Sequence, residues 1–416
     1  MTASLSDLAR TFARIGILSF GGPAAQIALM HKVLVEERRW LTEKDYLSAL
    51  SFCMLLPGPE AMQLATWAGW RLHGVKGGLI AGGLFVLPGA LVVLALSMAY
   101  AAWGQLPLMQ ALFLGVQAAV IAIVIEALIR VARRALKGTA AYIIAIAAFL
   151  GLFVLNLPFP VIILAAGIWG LLTARGNRMA QAAPADTTAP HTAQTLCLWL
   201  AVWLLPLAGL WLHGGLLFDV GWFFSKLAVL TFGGAYAVLA WMTQDVVAVQ
   251  GWLTTPQMMA GLGLAETTPG PLILVNEFVG FMAGYGAGGW GLGVAAAVVA
   301  LWMTFVPCFL WIFVAAPYLS RITAAPRLAG ALSAIMAAVV GVIANLSVWF
   351  ALHLMFSRLT PQGFGPVQML VPDPASLNLT ALGLAIVSAL LLLGLHRPLW
   401  QVLATSALLS VAISLA

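Results

Sequence analysis

Phe20-Gly21-Gly22-Pro23 and Pro57-Gly58-Pro59 interrupt two apolar stretches early in this sequence, and both interruptions return later. The counterparts are Phe232-Gly233-Gly234 and Pro269-Gly270-Pro271, each displaced by 212 residues. Between them Trp40-Leu41-Thr42 recurs at the same offset as Trp252-Leu253-Thr254. Asp7 and Asp219 align, as do Phe12 and Phe224, and Arg14 falls opposite Lys226. Separate motifs in one register, with no insertion between them, identify a duplication. Each half breaks its helices at the same two places.

Composition gives the solvent. The chain has 416 residues, 63% hydrophobic and 8% charged, with a mean hydropathy of +1.04. A soluble domain carries about 25% charged residues, so this much apolar surface points to lipid. Apolar runs of roughly 20 residues match the thickness of a bilayer. The expected fold is an all-α polytopic membrane protein with about 12–13 membrane segments.

The expected segments follow the apolar runs. Residues 8–30 hold the first break, and a charged amphipathic stretch, His31 to Asp45, is expected flat on the membrane surface. Residues 46–70 hold the second break; further spans fall at about 78–100, 107–130, 139–156 and 158–174. Residues 175–195 read as a polar linker, followed by an unpaired span at about 196–212. The second half then supplies 217–242, 256–285, 289–317, 328–356, 377–395 and 398–416. The domains expected are therefore 1–174, a linker with one extra helix at 175–215, and 216–416.

An extra span between two evenly crossing halves makes them inverted repeats. Charge placement agrees. Arg130, Arg133, Arg134 and Lys137, then Arg175 and Arg178, then Arg321 and Arg327, then His396 and Arg397 all fall on one predicted side. That side is the cytoplasmic one. Only Arg358 falls outside. Whether the Pro-Gly-Pro segments cross or re-enter stays open at this point.

Several classes are disfavoured. The cysteines Cys53, Cys197 and Cys308 are scattered, and the six histidines are dispersed, so no metal site or disulfide framework is suggested. No hydrolase, zincin or phosphate-loop motif occurs. Neither an enzyme nor a cofactor is expected. The net charge of +6 sits at helix ends and is no nucleic-acid footprint. Arg10 and Arg14 interrupt the first apolar run, which is not a cleavable leader pattern.

Broken helices inside a bilayer need protein or a water-filled cavity around the freed backbone. A half-helix that starts there points amides and a positive dipole end inward, where an anion is favoured. Inverted repeats with such half-helices resemble secondary transporters in construction. The candidate substrate-binding set is Phe20, Gly21, Gly22, Pro57, Gly58, Pro59, Phe232, Gly233, Gly234, Pro269, Gly270 and Pro271, with polar Gln63 and Asn276 beyond the breaks. The alternative for the glycines is close helix packing. Arg14 and Lys226, six residues before the breaks, supply charge to a cavity or snorkel to an interface. Glu60, Glu266 and Glu277 are candidates for proton coupling, although Glu60 also suits a helix cap. Glu126 and Arg130 read as an i,i+4 ion pair.

Arg14 to Pro23, Arg39-Trp40-Leu41-Thr42, Leu56-Pro57-Gly58-Pro59-Glu60-Ala-Met-Gln63 and Leu87-Pro88-Gly89 resemble the chromate ion transporter family in its long, two-domain form. Lys226 to Gly234, Gly251-Trp252-Leu253-Thr254 and Thr268-Pro269-Gly270-Pro271 resemble its second domain. The resemblance implies a multi-pass carrier of the bacterial inner membrane that exports chromate, confers chromate resistance and is driven by the membrane gradient. It implies sulfate as competitor or alternative substrate, and a homodimer is compatible with it. An uncoupled oxyanion channel is the alternative. Ala235 stands where the first half has Pro23, and Leu272 stands opposite Glu60.

Overall fold

Backbone amides in an apolar chain have only each other as partners, so the chain folds almost entirely into helices. The computed structural model describes residues 4–174, 191–232, 235–323, 325–364 and 367–415. Most of the expected linker lies outside the described residues.

The first half contains α1 (Leu5–Leu18), α2 (Gly22–His31), α3 (Glu43–Cys53), α4 (Glu60–Trp103), α5 (Pro107–Ala135), α6 (Thr139–Phe153) and α7 (Phe159–Thr173). The unpaired segment is α8 (Thr192–His213). The second half contains α9 (Leu216–Leu230), α10 (Ala235–Gln244), α11 (Thr255–Thr267), α12 (Val275–Ala315), α13 (Leu319–Thr323) and α14 (Pro326–Met355). The strands β1 (Leu359–Phe364) and β2 (Val367–Pro372) follow, then α15 (Leu379–Ala389) and α16 (Leu399–Leu415).

The duplication is visible turn by turn. α2 and α10 each run into a π-helical turn, Lys32–Glu37 and Asp245–Val249. Both turns close alike, with Trp40 N–H donating to Leu34 O and Trp252 N–H to Val246 O. Arg39 (φ 53) and Gly251 (φ 63) hold the same left-handed position. The Trp-Leu-Thr motif then caps the next helix. Thr42 Oγ1 accepts from Asp45 N–H at 3.1 Å. Thr254 and Gln257 form a reciprocal capping box, with Thr254 N–H donating to Gln257 Oε1 at 2.8 Å. The repeated threonines are thus explained by helix initiation.

Five helical stretches are long and apolar enough to cross a membrane: Glu60–Trp103, Pro107–Ala135, Thr192–His213, Leu272–Thr323 and Pro326–Met355. α4, with 44 residues, would be about 66 Å long if straight, twice a ~30 Å hydrocarbon core. It turns at His73 and Gly74 (φ 60, ψ −153) instead, and Gly69 packs on the backbone of Gly77 across the turn. α12 turns at Gly288 and Gly289 (φ 75, ψ −161), and Gly284 packs on the backbone of Leu292. Each half therefore begins its long helix with a short arm, Glu60 to His73 or Val275 to Gly288, of about 21 Å, too short to cross alone. The first arm directly follows Pro-Gly-Pro, and the second follows it after a three-residue turn, Leu272–Leu274.

The described residues group into two compact units. One comprises Met1–Met98, Arg175–Ala235 and Ala265–Ala329. In it α9 and α8 pack against α12, and Gly16 of α1 meets the backbone of Leu84 in α4. The other comprises Ala99–Ala174, Tyr236–Leu264 and Gly330–Ala416. There α5 packs on α15 and α16, around Val116, Ala119, Ile123, Val402 and Leu403. Ser406 Oγ donates to Gly115 O at 2.8 Å across that contact. The antiparallel hairpin pairs Leu359 with Pro372 and Phe364 with Val367. Arg358 and Asp373 close it at 3.7 Å. All four helix breaks' described residues lie in the first unit.

Candidate anion site at the paired helix breaks

α1 ends because Ser19 takes φ −78°, ψ 63°, an inverse γ-turn. Phe20 N–H donates back to Leu18 O at 2.9 Å. The second half repeats this at Thr231 (φ −77°, ψ 77°), with Phe232 N–H donating to Leu230 O at 2.9 Å. Both hydroxyls bond one turn back, Ser19 Oγ to Ile15 O and Thr231 Oγ1 to Leu227 O, each at 2.6 Å. The carbonyl at the centre of each γ-turn is left outside the helix ladder.

Those two carbonyls are where the halves meet. Gly270 N–H donates to Ser19 O at 2.9 Å, and Gly58 N–H donates to Thr231 O at 2.7 Å. The Pro-Gly-Pro of each half is bonded to the first break of the other. Glycine carries the only N–H in a Pro-Gly-Pro tripeptide, so this hydrogen bond spends the donor. Gly58 (φ 121) and Gly270 (φ 93) also occupy backbone conformations that favour glycine.

The third wall of each junction is a crossing helix. A Cβ at Gly58 would lie 2.8 Å from Gln63 Nε2 and 3.0 Å from Cys308 Sγ. A Cβ at Gly270 would lie 2.9 Å from Leu274 Cδ1 and 3.4 Å from Gly89 Cα. Gly89 in turn rests on the carbonyl of Pro269. Pro88-Gly89 of α4 and Pro307-Cys308 of α12 thus each stand beside one Pro-Gly-Pro. Both junctions combine a γ-turn, a Pro-Gly-Pro from the other half and a proline-bearing helix.

Half-helices leave these junctions. Gln63 N–H donates to Pro59 O at 3.1 Å, so the amides of Glu60, Ala61 and Met62 have no acceptor within the helix. Pro271 O accepts from Leu274 N–H at 2.9 Å, and a 3₁₀ turn, Leu272–Leu274, opens into α12. Gly21 (φ 86) caps α2, with Pro23 in its first turn. The N-termini of three half-helices therefore adjoin the junctions, while the amides of Gly58 and Gly270 are occupied.

The other expected residues divide. Gln63 and Asn276 are fully buried, at 0% exposure. Gln63 Nε2 donates to Pro57 O at 2.6 Å, and Asn276 Nδ2 to Thr304 Oγ1 at 3.1 Å. Glu277 is 1% exposed and its Oε2 has no hydrogen-bond partner among the described residues. Glu60 is half-buried and Glu266 buried, and both interact with neighbours. Phe20 is exposed and Phe232 half-buried. Arg14 lies on the exposed side of α1, while Lys226 lies over the Trp222 ring, 5.7 Å from its centroid. Gly233 and Gly234 lie outside the described residues. Glu126 does pair with Arg130, at 2.6 Å.

One residue at the junctions was not anticipated. Gln26 of α2 is 1% exposed, and its Nε2 donates to Gly270 O at 2.6 Å and Ser19 O at 3.2 Å. Its signal in the sequence was a lone carboxamide in an apolar stretch, opposite Val238 in the repeat.

The sequence matches a known family. The model described as "Chromate transporter" matches residues 6–171 and 218–411. The chain belongs to the chromate transporter family. The two matched regions are the two halves of the duplication. A chromate transport protein of Cupriavidus metallidurans is 30% identical over 361 residues, covering 84% of this chain and 83% of the relative. One of Pseudomonas aeruginosa is 33% identical over 354 residues, covering 83% and 80%. An uncharacterized transporter of Methanocaldococcus jannaschii is 25% identical over 361 residues, covering 85% and 86%. No solved structure matches the chain. Family membership and the long apolar helices together make this a multi-pass membrane protein.

Proposed function

We propose that this chain is a secondary active transporter that exports chromate across the bacterial inner membrane and so confers chromate resistance. The observation that carries the reading is the reciprocal bonding of the breaks, Gly58 to Thr231 and Gly270 to Ser19. Two equivalent junctions between two equivalent halves supply the parts for alternating access: one tightens as the other opens. Each neutral hydrogen bond of this kind contributes about 1 kcal/mol, small enough to exchange during a cycle. The halves, 1–174 and 216–416, are inverted relative to each other, with α8 supplying the odd crossing.

The substrate oxyanion binds at the half-helix N-termini around the junctions, where amides and the helix dipole favour negative charge. Chromate as substrate rests on the named relatives; sulfate, an isosteric dianion, competes for the same groups. Glu277 is the residue for proton coupling, because its buried carboxyl has an unpartnered oxygen among the described residues and an ionisable group inside a membrane is functional by default. A homodimer is compatible with this scheme and is not required by it. Expression in a chromate-sensitive bacterium tests the reading. Growth at raised chromate, with less chromate retained in the cells, supports it. Unchanged sensitivity, with the protein present in the membrane, rejects it.

A further inference from the structure

Gln26 and Gln63 raise a question that the anion reading leaves unanswered. Backbone carbonyls face the Nε2 of each carboxamide: Ser19 O and Gly270 O at Gln26, and Pro57 O at Gln63. A carbonyl cannot donate, so the NH₂ must lie on that side and neither amide can be flipped. The opposite end of each is therefore an oxygen that can only accept. Both Oε1 atoms are buried and have no hydrogen-bond partner among the described residues. A buried acceptor left unpaired is costly. Beside a fully deprotonated oxyanion it stays unpaired and faces like charge.

The two glutamines are distributed one to each junction. Gln26 lies at the Ser19–Gly270 junction, and Gln63 at the Thr231–Gly58 junction. Both come from the first half. Their repeat counterparts are Val238 and Val275, each fully buried. The fold at these positions accepts valine, so the carboxamides are not needed to fill space.

The geometry points to Gln26 and Gln63 as specificity-determining residues that select the protonated form of a tetrahedral oxyanion. The half-helix N-termini bind the anionic oxygens, and the glutamine Oε1 accepts the hydrogen of an O–H. Hydrogen chromate coexists with chromate near neutral pH, whereas sulfate and molybdate carry no proton there. The acceptor thus separates chromate from anions of nearly the same size and charge, which amides and dipoles alone do not. This inference rests on the transport reading above.

Purified full-length protein in lipid nanodiscs tests it at one neutral pH. Radiolabelled chromate and radiolabelled sulfate are each displaced by unlabelled chromate, molybdate or sulfate. The wild type should bind chromate at least about tenfold more tightly than molybdate or sulfate, the scale of one hydrogen bond. Gln26→Val and Gln63→Val, which copy the other half, should each weaken chromate about tenfold without weakening molybdate or sulfate. Equal displacement by molybdate and chromate in the wild type overturns the inference without any variant. So do variants that weaken all three anions alike, or leave chromate unaffected. If the wild type binds none of the anions, the transport reading fails and takes this inference with it.

Discussion

Gly58→Val places a branched side chain at the junction where the first half's Pro-Gly-Pro meets the second half's γ-turn. Gly58 has φ 121, and a non-glycine residue held in such a region costs about 1–3 kcal/mol. The new Cβ would sit 2.8 Å from Gln63 Nε2 and 3.0 Å from Cys308 Sγ. Both neighbours are side-chain ends, so they can shift and leave most of the cost in the backbone. If the backbone relaxes, Gly58 N–H leaves Thr231 O, now 2.7 Å away, and a buried amide is left unpaired at about 1–3 kcal/mol. By either route the junction is weakened by about 1–3 kcal/mol, a shift between roughly fivefold and about 150-fold in its open–closed equilibrium. Gly270→Val, with φ 93 and Leu274 Cδ1 at 2.9 Å, should behave alike. Gly83→Ala in α4, where an added Cβ meets nothing within 4 Å, is the control. The assay is chromate resistance and vesicle uptake, normalised to protein in the membrane. Both valine variants should insert and lose transport, while Gly83→Ala keeps it. Normal transport by both would remove the breaks from the mechanism.

Three further outcomes follow from the same geometry. Glu277→Gln keeps size and hydrogen bonding but removes a titratable carboxyl. It should cut gradient-driven accumulation by at least about tenfold while sparing chromate exchange between equal compartments; equal loss of both would make Glu277 structural. Glu126→Ala breaks a 2.6 Å pair with both side chains more than a third exposed, worth under about 1 kcal/mol. Resistance should stay within twofold, and a larger loss would give Glu126 another role. Gly115→Val pushes a side chain into the backbone of Ser406. It should separate α5 from α16 and lower the amount of folded protein, read by detergent-extract chromatography; an unchanged profile would show that this contact tolerates volume.

Much of the fold was legible because glycine and proline have few meanings inside lipid. Phe-Gly-Gly and Pro-Gly-Pro marked where helices stop, and the gap between the expected spans 46–70 and 78–100 falls at the His73–Gly74 turn. The gap between 256–285 and 289–317 likewise falls next to Gly288 and Gly289. The 359–372 hairpin was not anticipated, since a short segment interrupted by Pro361, Gly363, Gly365 and Pro366 gives little hydrophobic period to read. The reciprocal docking was hidden for a different reason. Gly58 and Thr231 are 173 residues apart, and periodicity within one helix says nothing about such a partner. Gln26 escaped notice because one carboxamide in an apolar run looks like a helix-packing residue until its acceptors are known. Trp-Leu-Thr was found as a repeat, but only the Thr42 and Thr254 caps explain why it repeats.

The central claim is energy-coupled export of chromate, and inverted membrane vesicles test it most directly because they turn export into accumulation. Vesicles containing the protein, energised with NADH, should concentrate radiolabelled chromate inside. An uncoupler should abolish that accumulation, and excess sulfate should reduce it. Chromate that merely equilibrates across the membrane, with or without the uncoupler, would contradict the account and identify an uncoupled oxyanion channel instead.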